Sequence, residues 1–488
     1  MKICPTHKGL YPTLAWGIFF ICCFVSNAYS QLCTGSFGDP IVNITFGNGP
    51  ATTALGSGVT SYSFVSTECP NDGSYTIRSS TSNCFGTWHT ITSDHTGDPQ
   101  GRFMLANASY DPGDFFVQNV TGLCANTTFE FAAWVMNVVR FPNQIQPNLT
   151  FTVEKKDGTV LGIFQSGNID ISSSPQWKKV GFNFKTPPGV SEVILRIKNN
   201  APGGIGNDIA LDDITFSACG PSLTNAMEGN TDTVHLCEGE TKAFQLKASV
   251  PPFFINPVYQ WQTSTDKGAT WNDIGGASAL QLTVKPEMIG TYWYRLSAVE
   301  EGNFNSMSCR VVSNVTSINI HANPTVNAGP DLVVIKGESV KLQGTLHGGN
   351  ATYSWHPLNY MDNANSLTPN VSPLSNTNYS LSAMSIYGCS GRDDVSIKVI
   401  DGIYIPTSFT PNGDGVNDAW RIPNIQYAPD AEVKIFNRIG NLIYHTKSGT
   451  VVWDGTLKGK PQPSGVYVYL VSLKKAAAPI KGFLTLLR

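Results

Sequence analysis

Short runs in which apolar and polar residues alternate recur along most of this chain, rich in Val, Ile, Thr, Tyr and Phe and broken by Gly, Pro, Asn and Asp. Successive side chains of a strand point to opposite faces, so a period of two marks a half-buried strand. β-Branched and aromatic residues fit its pleated surface. Ser74-Tyr75-Thr76-Ile77-Arg78, residues 129–135 (FEFAAWV), Leu149-Thr150-Phe151-Thr152-Val153 and Val193-Ile194-Leu195-Arg196-Ile197 carry the pattern. No long stretch of helical period competes with it. The expected fold class is therefore all-β. A chain of 488 residues exceeds one ordinary core, which suggests roughly three to four domains.

The N-terminus reads as a secretory signal over residues 1–30. Lys2, His7 and Lys8 form its positive start, 14–25 (LAWGIFFICCFV) its apolar run, and Ala28-Tyr29-Ser30 a small-x-small cleavage site, with Gln31 the mature start. The apolar run is short for a membrane span, and no later segment is long and apolar enough to be one. A lipoprotein is disfavoured, because Cys33 follows Ser30-Gln31-Leu32 with no leucine three positions before it. Cysteines 4, 22 and 23 leave with the signal. Cys33, Cys69, Cys84, Cys124, Cys219, Cys237, Cys309 and Cys389 remain, an even set that in an exported chain reads as disulfides. With no C-x-x-C pair, zinc is not expected. Several pairings are open. One has Cys69–Cys84 stapling a hairpin, Cys33–Cys219 tying the ends of a module and Cys237–Cys309 crossing a second, with Cys124 and Cys389 left as buried thiols. A net charge of −3, with charged residues at 14% against ~25% in typical domains, leaves no basic stripe. Nucleic acid is excluded as a partner.

Four modules are read after the signal. In the last, residues 402–488, Ile405-Pro406-Thr407-Ser408-Phe409-Thr410-Pro411-Asn412-Gly413-Asp414-Gly415, Val433-Lys434-Ile435-Phe436-Asn437, Trp453-Asp454-Gly455, Ser464-Gly465-Val466-Tyr467 and Lys481-Gly482-Phe483 follow one another up to Arg488. This order resembles the gliding motility-associated C-terminal sorting domain of the type IX secretion system. The resemblance implies a Bacteroidetes-type protein, a small β-sandwich that engages the type IX machinery, and localisation outside the cell or on its outer surface, reached through the periplasm. Residues 31–221, with Asp94-His95-Thr96-Gly97, Gly101-Arg102-Phe103-Met104 and 206–214 (GNDIALDDI) ahead of Cys219, resemble MAM-like adhesion domains, jelly rolls related in shape to carbohydrate-binding modules. Residues 222–322, with Cys237, Trp261 and Cys309, resemble an immunoglobulin-like sandwich. Its tyrosines lie well before Cys309, which leaves the strand of Cys309 open. Residues 323–401, with Asn327-Ala328-Gly329-Pro330-Asp331 and Tyr353-Ser354-Trp355-His356-Pro357, resemble PKD-like spacers.

Chemistry-bearing clusters are few. Asp94, His95 and Asp98 share a Gly-rich loop. Asp212-Asp213 sit in a strand-like run near the end of the first module, and the first and last strands of a jelly roll are often neighbours. Period two places Asp212 on the face of Ile214 and Phe216. If that face is buried, Asp212 needs a metal or hydrogen-bond donors. A structural calcium held by Asp94, Asp212 and Asp213 is one expectation; carboxylates capping turns are the other. Among aromatic residues suited to sugar binding, Trp88, in a turn-rich stretch after Cys84, is the candidate for a ligand platform, whereas Trp134 lies in an apolar run and is assigned to the core. Residues 412–418 (NGDGVND) lack the full EF-hand spacing and are read as a turn. H-E-x-x-H, G-x-S-x-G and P-loop patterns are absent. The resulting expectation is a non-enzymatic surface binding or adhesion protein whose first module takes a glycan or a protein partner. The alternatives are a jelly-roll glycosidase and a purely structural stalk.

Overall fold

The computed structural model describes residues 32–488 apart from 50–52, 230, 349, 429, 448 and 474–477. The signal segment over 1–30 and the mature start at Gln31 lie outside the described residues. Among the described residues there is no α-helix, only strands and four short 3-10 turns, and no helix is long and apolar enough to cross a membrane. The strands form sheets that each draw on one of four consecutive stretches of chain.

The first stretch is a two-sheet sandwich. Its strands are β1 (Val42–Ile44), β2 (Ser63–Phe64), β3 (Ser74–Arg78), β4 (Phe103–Asn107), β5 (Asp114–Thr121), β6 (Thr128–Asn137), β7 (Asn148–Glu154), β8 (Val160–Asn168), β9 (Lys178–Lys185), β10 (Glu192–Asn199) and β11 (Ile209–Ala218). One sheet runs β2-β3-β4-β11-β6-β9 with β1 also on β11; the other runs β5-β10-β7-β8. The start of β11 pairs with β4 and its end with β1 (Val42 opposite Phe216), so the first and last strands are neighbours. Phe131, Phe151, Leu195, Ile197, Leu211 and Phe216 fill the space between the sheets. Alternation sends Phe103, Leu105 and Met136 to the opposite face. There the irregular segment 79–102 folds over them, and Cys84, Trp88 and Ile91 complete a second small core.

The second stretch packs Thr224–Met227, Phe244–Ser249 and Gln281–Val284 on a six-stranded sheet that includes Thr233–Cys237, Pro257–Ser264, Gly290–Glu300 and Thr316–His321. Trp261 is the inward tryptophan expected of it: fully buried beside Leu246, Leu296 and Ile318, with its indole N–H donating to Ala279 O at 2.8 Å. Cys309 stands in the 3-10 turn Met307–Cys309, not in a strand. The third stretch builds its main sheet from Leu332–Ile335, Ala351–His356, Thr377–Ser385 and Ser390–Ile400 around Trp355, Tyr379 and Leu381. In the fourth, a five-stranded sheet with Glu432–Phe436, Gly465–Ser472 and Ile480–Leu486 encloses Trp420, Trp453 and Tyr467. Residues 412–418 there form a turn closed on itself. Asp418 accepts from Gly413 N at 2.7 Å and Gly415 N at 2.8 Å, and the left-handed φ of 84° at both glycines lets the chain curl around that carboxylate.

The disulfides correct part of the expected pairing. Cys33–Cys219 and Cys69–Cys84 are formed as expected. Cys237 pairs not with Cys309 but with Cys389, and Cys309 pairs with Cys124, so neither Cys124 nor Cys389 is a free thiol. The reason is position: Cys309, turned out of the second sandwich, packs into the core of the first, while Cys237 ends an edge strand of its sheet. Two bonds therefore join modules rather than crossing one. No disulfide reaches the fourth module; its core meets the third through Ile335, which packs against it beside Ile403 and Ile405 of the fourth module's own entry segment.

Candidate functional site

Two places in the first module bring functional groups together. One lies where the loop after β3 reaches β11. Between Asp212 and Thr215 the register of β11 on β6 slips, a bulge that puts Asp213 at φ +39° and turns its carboxylate outward. Asp212 is buried, but not on the face of Ile214 and Phe216 that period two gave it. The extra residue at the bulge reverses the alternation, so Leu211, Ile214 and Phe216 line the space between the sheets while Asp212 stands across from Trp134 on the other face. Its charge is met by donors: Oδ2 accepts from His95 N at 3.1 Å and His95 Nδ1 at 3.0 Å, and Oδ1 from Asp213 N at 2.8 Å. The His95 ring stacks on Trp134, centroids 4.6 Å apart. Trp134 is thus half-buried under an imidazole rather than a core residue. Asp213 Oδ2 is 3.6 Å from the same ring nitrogen. Asp94 Oδ1 accepts from Thr96 N, Thr96 Oγ1 and Asp98 N, as a turn cap does.

Burial raises the carboxyl pKa of both Asp212 and Asp213. A second, smaller cause is the neighbouring carboxylate, Asp213 for the one and Asp94 for the other. Ligand atoms of His95, Asp212 and Asp213 lie within 4.8 Å of one another. Carboxylates crowded in this way favour a cation, and Asp213 with Asp94 Oδ2 supplies oxygens not already committed. An imidazole is a poor calcium ligand, and here its nitrogen already faces Asp212. The oxygens of Asp213 and Asp94 Oδ2 are thus the hard donors this corner offers, with Asp212 and His95 engaged with each other beside them.

Trp88 is not a ligand platform. It is 1% exposed, and its indole N–H donates to Asp208 Oδ2 at 3.0 Å. The turn-rich segment that carries it is a layer of the core, so the aromatic face is used internally. An open recess of this module lies elsewhere, between β7, β8 and the loop after β10. It encloses about 590 Å3 and is lined by the carboxamides of Gln144, Gln146, Asn148, Gln165, Asn168 and Asn200, with no charged side chain. Sequence reasoning missed it: the alternation Gln144, Gln146, Asn148 reads as ordinary polar sequence until the fold places Gln165, Asn168 and Asn200 opposite.

Comparison with known proteins adds the following. Residues 403–486 match the model of the CHU_C type IX secretion signal domain. Residues 226–322 match a domain of unknown function, DUF8696. No curated protein matches the chain. Among solved structures, fibronectin(III)-like modules of Clostridium thermocellum CbhA align at 17% identity over 36% of this chain and 95% of theirs, with a TM-score of 0.19. The CBM22-1 xylan-binding domain of Paenibacillus barcinonensis Xyn10C aligns at 13% identity over 38% and 97%, TM-score 0.21. The complex of Dpr2 Ig1-Ig2 with DIP-Theta Ig1-Ig3 aligns at 12% identity over 54% and 99%, TM-score 0.25. Similarity this low carries no functional argument. The secretion signal does: the C-terminal module is similar to a type IX export domain, which indicates secretion or display at the outer surface.

Proposed function

We propose that this chain is a surface-presented binding protein. Its first module binds a glycan, its second and third modules hold that module away from the sorting domain, and the sorting domain engages the type IX machinery and is then removed. The observation that carries the reading is the placement of Cys124–Cys309 and Cys237–Cys389 between modules. A bond within a module stabilises that module; a bond between modules fixes their relative orientation. Fixed orientation lowers the ordering cost of presenting a binding face, and it is of little use to a freely diffusing hydrolase. The uncharged, carboxamide-lined recess favours a ligand rich in hydroxyls. A protein ligand is the second reading, favoured by the exposed Phe253 and Ile255, which line a cleft at the joint of the first two modules.

Deleting residues 402–488 is expected to leave the protein in the periplasm, read by blotting of cell fractions. Wild-type levels of the truncated chain in the medium would refute the sorting assignment. Release of sugars from a polysaccharide by the purified chain would replace the binding reading with the glycosidase.

The cofactor of this reading is a structural calcium at Asp94, Asp212 and Asp213. An ion present at a hundred times its dissociation constant adds ~2.7 kcal/mol to the folded state, so chelation lowers the melting midpoint by roughly 5 °C or more. A midpoint unmoved by chelator, and by calcium added back, removes the ion from the account.

A further inference from the structure

We infer that the recess between β7, β8 and the loop after β10 is the ligand site of the first module, and that its ligand is a neutral glycan segment, one without carboxylate or sulfate. The inference rests on the glycan-binding reading above and assigns it a place and a chemical class.

The argument begins with hydrogen-bonding capacity. A carboxamide carries two donors and one acceptor with two lone pairs. A sugar hydroxyl likewise donates once and accepts twice, so an array of carboxamides matches vicinal hydroxyls without placing a charge against a neutral ligand. The recess offers this array and little else: six carboxamides with Ile145, Ala201 and Pro202.

Part of the array is held in place by its own bonds. Asn148 Nδ2 donates to Asn168 Oδ1 at 3.1 Å, and Asn200 Nδ2 donates to Asn148 Oδ1 at 3.1 Å and to Thr150 Oγ1 at 2.6 Å. This ladder leaves the Asn168 amide hydrogens and the Asn200 carbonyl oxygen with capacity to spare. The wall behind is stiff. Asn207 is wholly buried and donates through Nδ2 to Ala201 O at 3.2 Å and through its backbone to Ile145 O at 2.7 Å. Gly203 N donates to Tyr110 O at 3.0 Å, which brings a 68% exposed tyrosine ring to the outside of the same loop.

The remaining part of the array is uncommitted. Among the described residues, the carboxamides of Gln144, Gln146 and Gln165 have no protein partner. A preorganised ladder flanked by unpaired amides, around a volume within the ~300–1,000 Å3 range of small-ligand sites, is the arrangement a hydroxyl-rich ligand needs. An acidic glycan would find no cation along this lining.

The test uses the full chain without its signal segment, probed on an array of neutral and acidic oligosaccharides, with affinities then measured by calorimetry. Binding to a neutral member is expected, weakened about tenfold or more by Q144A/Q165A, since each removed amide leaves a ligand hydroxyl unpaired. Q165E, which sets a carboxylate among the hydroxyls, keeps the test independent of packing. Both glutamines are unpaired in the fold, so the melting midpoint should not move. Neutral-glycan binding untouched by either variant overturns the placement while leaving the first-module reading intact. Binding confined to acidic glycans overturns the class. A folded wild-type chain that binds no glycan overturns the glycan-binding reading itself, and this inference with it.

Discussion

Serine at both Cys124 and Cys309 lowers the stability of the first two modules together, by ~2–5 kcal/mol, in one shared unfolding transition. The bond spans 185 residues of sequence, and closing so long a loop restricts the unfolded chain by roughly 5 kcal/mol in the loop-entropy model, an upper value for a native bond. The coupling follows from what surrounds it. Ala298, Val299, Cys309 and Val311 of the second module belong to the same continuous core as Phe131 and Phe216 of the first. Val312 N donates to Phe37 O at 2.9 Å. Arg295, nearly buried, grips Asp39 with both terminal nitrogens at 2.8 and 2.6 Å. Gly38 lies so close to the second module that a Cβ would stand 2.1 Å from Arg310 O, so no larger residue fits without parting the two. Calorimetry or urea unfolding reads the result. Two resolved transitions in the wild type, or an unmoved midpoint in the double-serine chain, would show that the modules are merely adjacent.

That joint marks the limit of what the sequence disclosed. Strand positions were legible because burial of one face imposes period two: Leu149-Thr150-Phe151-Thr152-Val153 and Val193-Ile194-Leu195-Arg196-Ile197 became β7 and most of β10. Trp261 was legible as a core residue because it sits mid-strand among alternating polar neighbours. Cys33–Cys219 was legible because the first and last strands of such a sandwich meet. The face of Asp212 was not legible, because the bulge after it reverses the alternation on which period two depends, nor was the donor that answers its charge, since His95 arrives from 117 positions away. The bonds of Cys124 and Cys389 were hidden because spacing along one chain says nothing about which neighbouring module a turn leans on. Trp88 was misread for a related reason. Turn-rich sequence suggests a surface loop, yet segment 79–102 covers an apolar face of the sheet and is itself a core layer. The carboxamide recess had no signature beyond polarity, because Asn and Gln fill ordinary turns just as readily.

Trp88 leads to the second large effect, at its partner. Asp208→Asn is expected to stabilise the protein by several kcal/mol at about pH 8 and by little at about pH 4. Asp208 is 6% exposed. It accepts from Trp88 Nε1 at 3.0 Å and Ala108 N at 3.4 Å, and the carboxylate of Asp72 adds to the cost of ionising it. Burial pushes its carboxyl up to about 7 from 3.8, and those two donors only partly oppose the rise. The folded state thus prefers the protonated form while the unfolded chain ionises near its ordinary value. A pKa raised on folding gives a contribution fully present below the unfolded value and lost as pH rises through the folded one. The loss therefore runs from about pH 4 to about pH 7, and three units at ~1.4 kcal/mol each amount to ~4 kcal/mol. Asparagine's single carbonyl oxygen keeps the indole N–H and gives up the long bond from Ala108 N, a cost that does not vary with pH. It never ionises, so the variant should lack this slope while other groups titrate alike in both proteins. The quantity to measure is the difference in unfolding free energy between the two chains, by urea titration at several pH values. A difference that grows with pH across that window fits a buried carboxyl that must ionise in place. A constant difference would mean that Asp208 is already charged when the protein folds, its charge met by water or an ion reaching the space under Trp88.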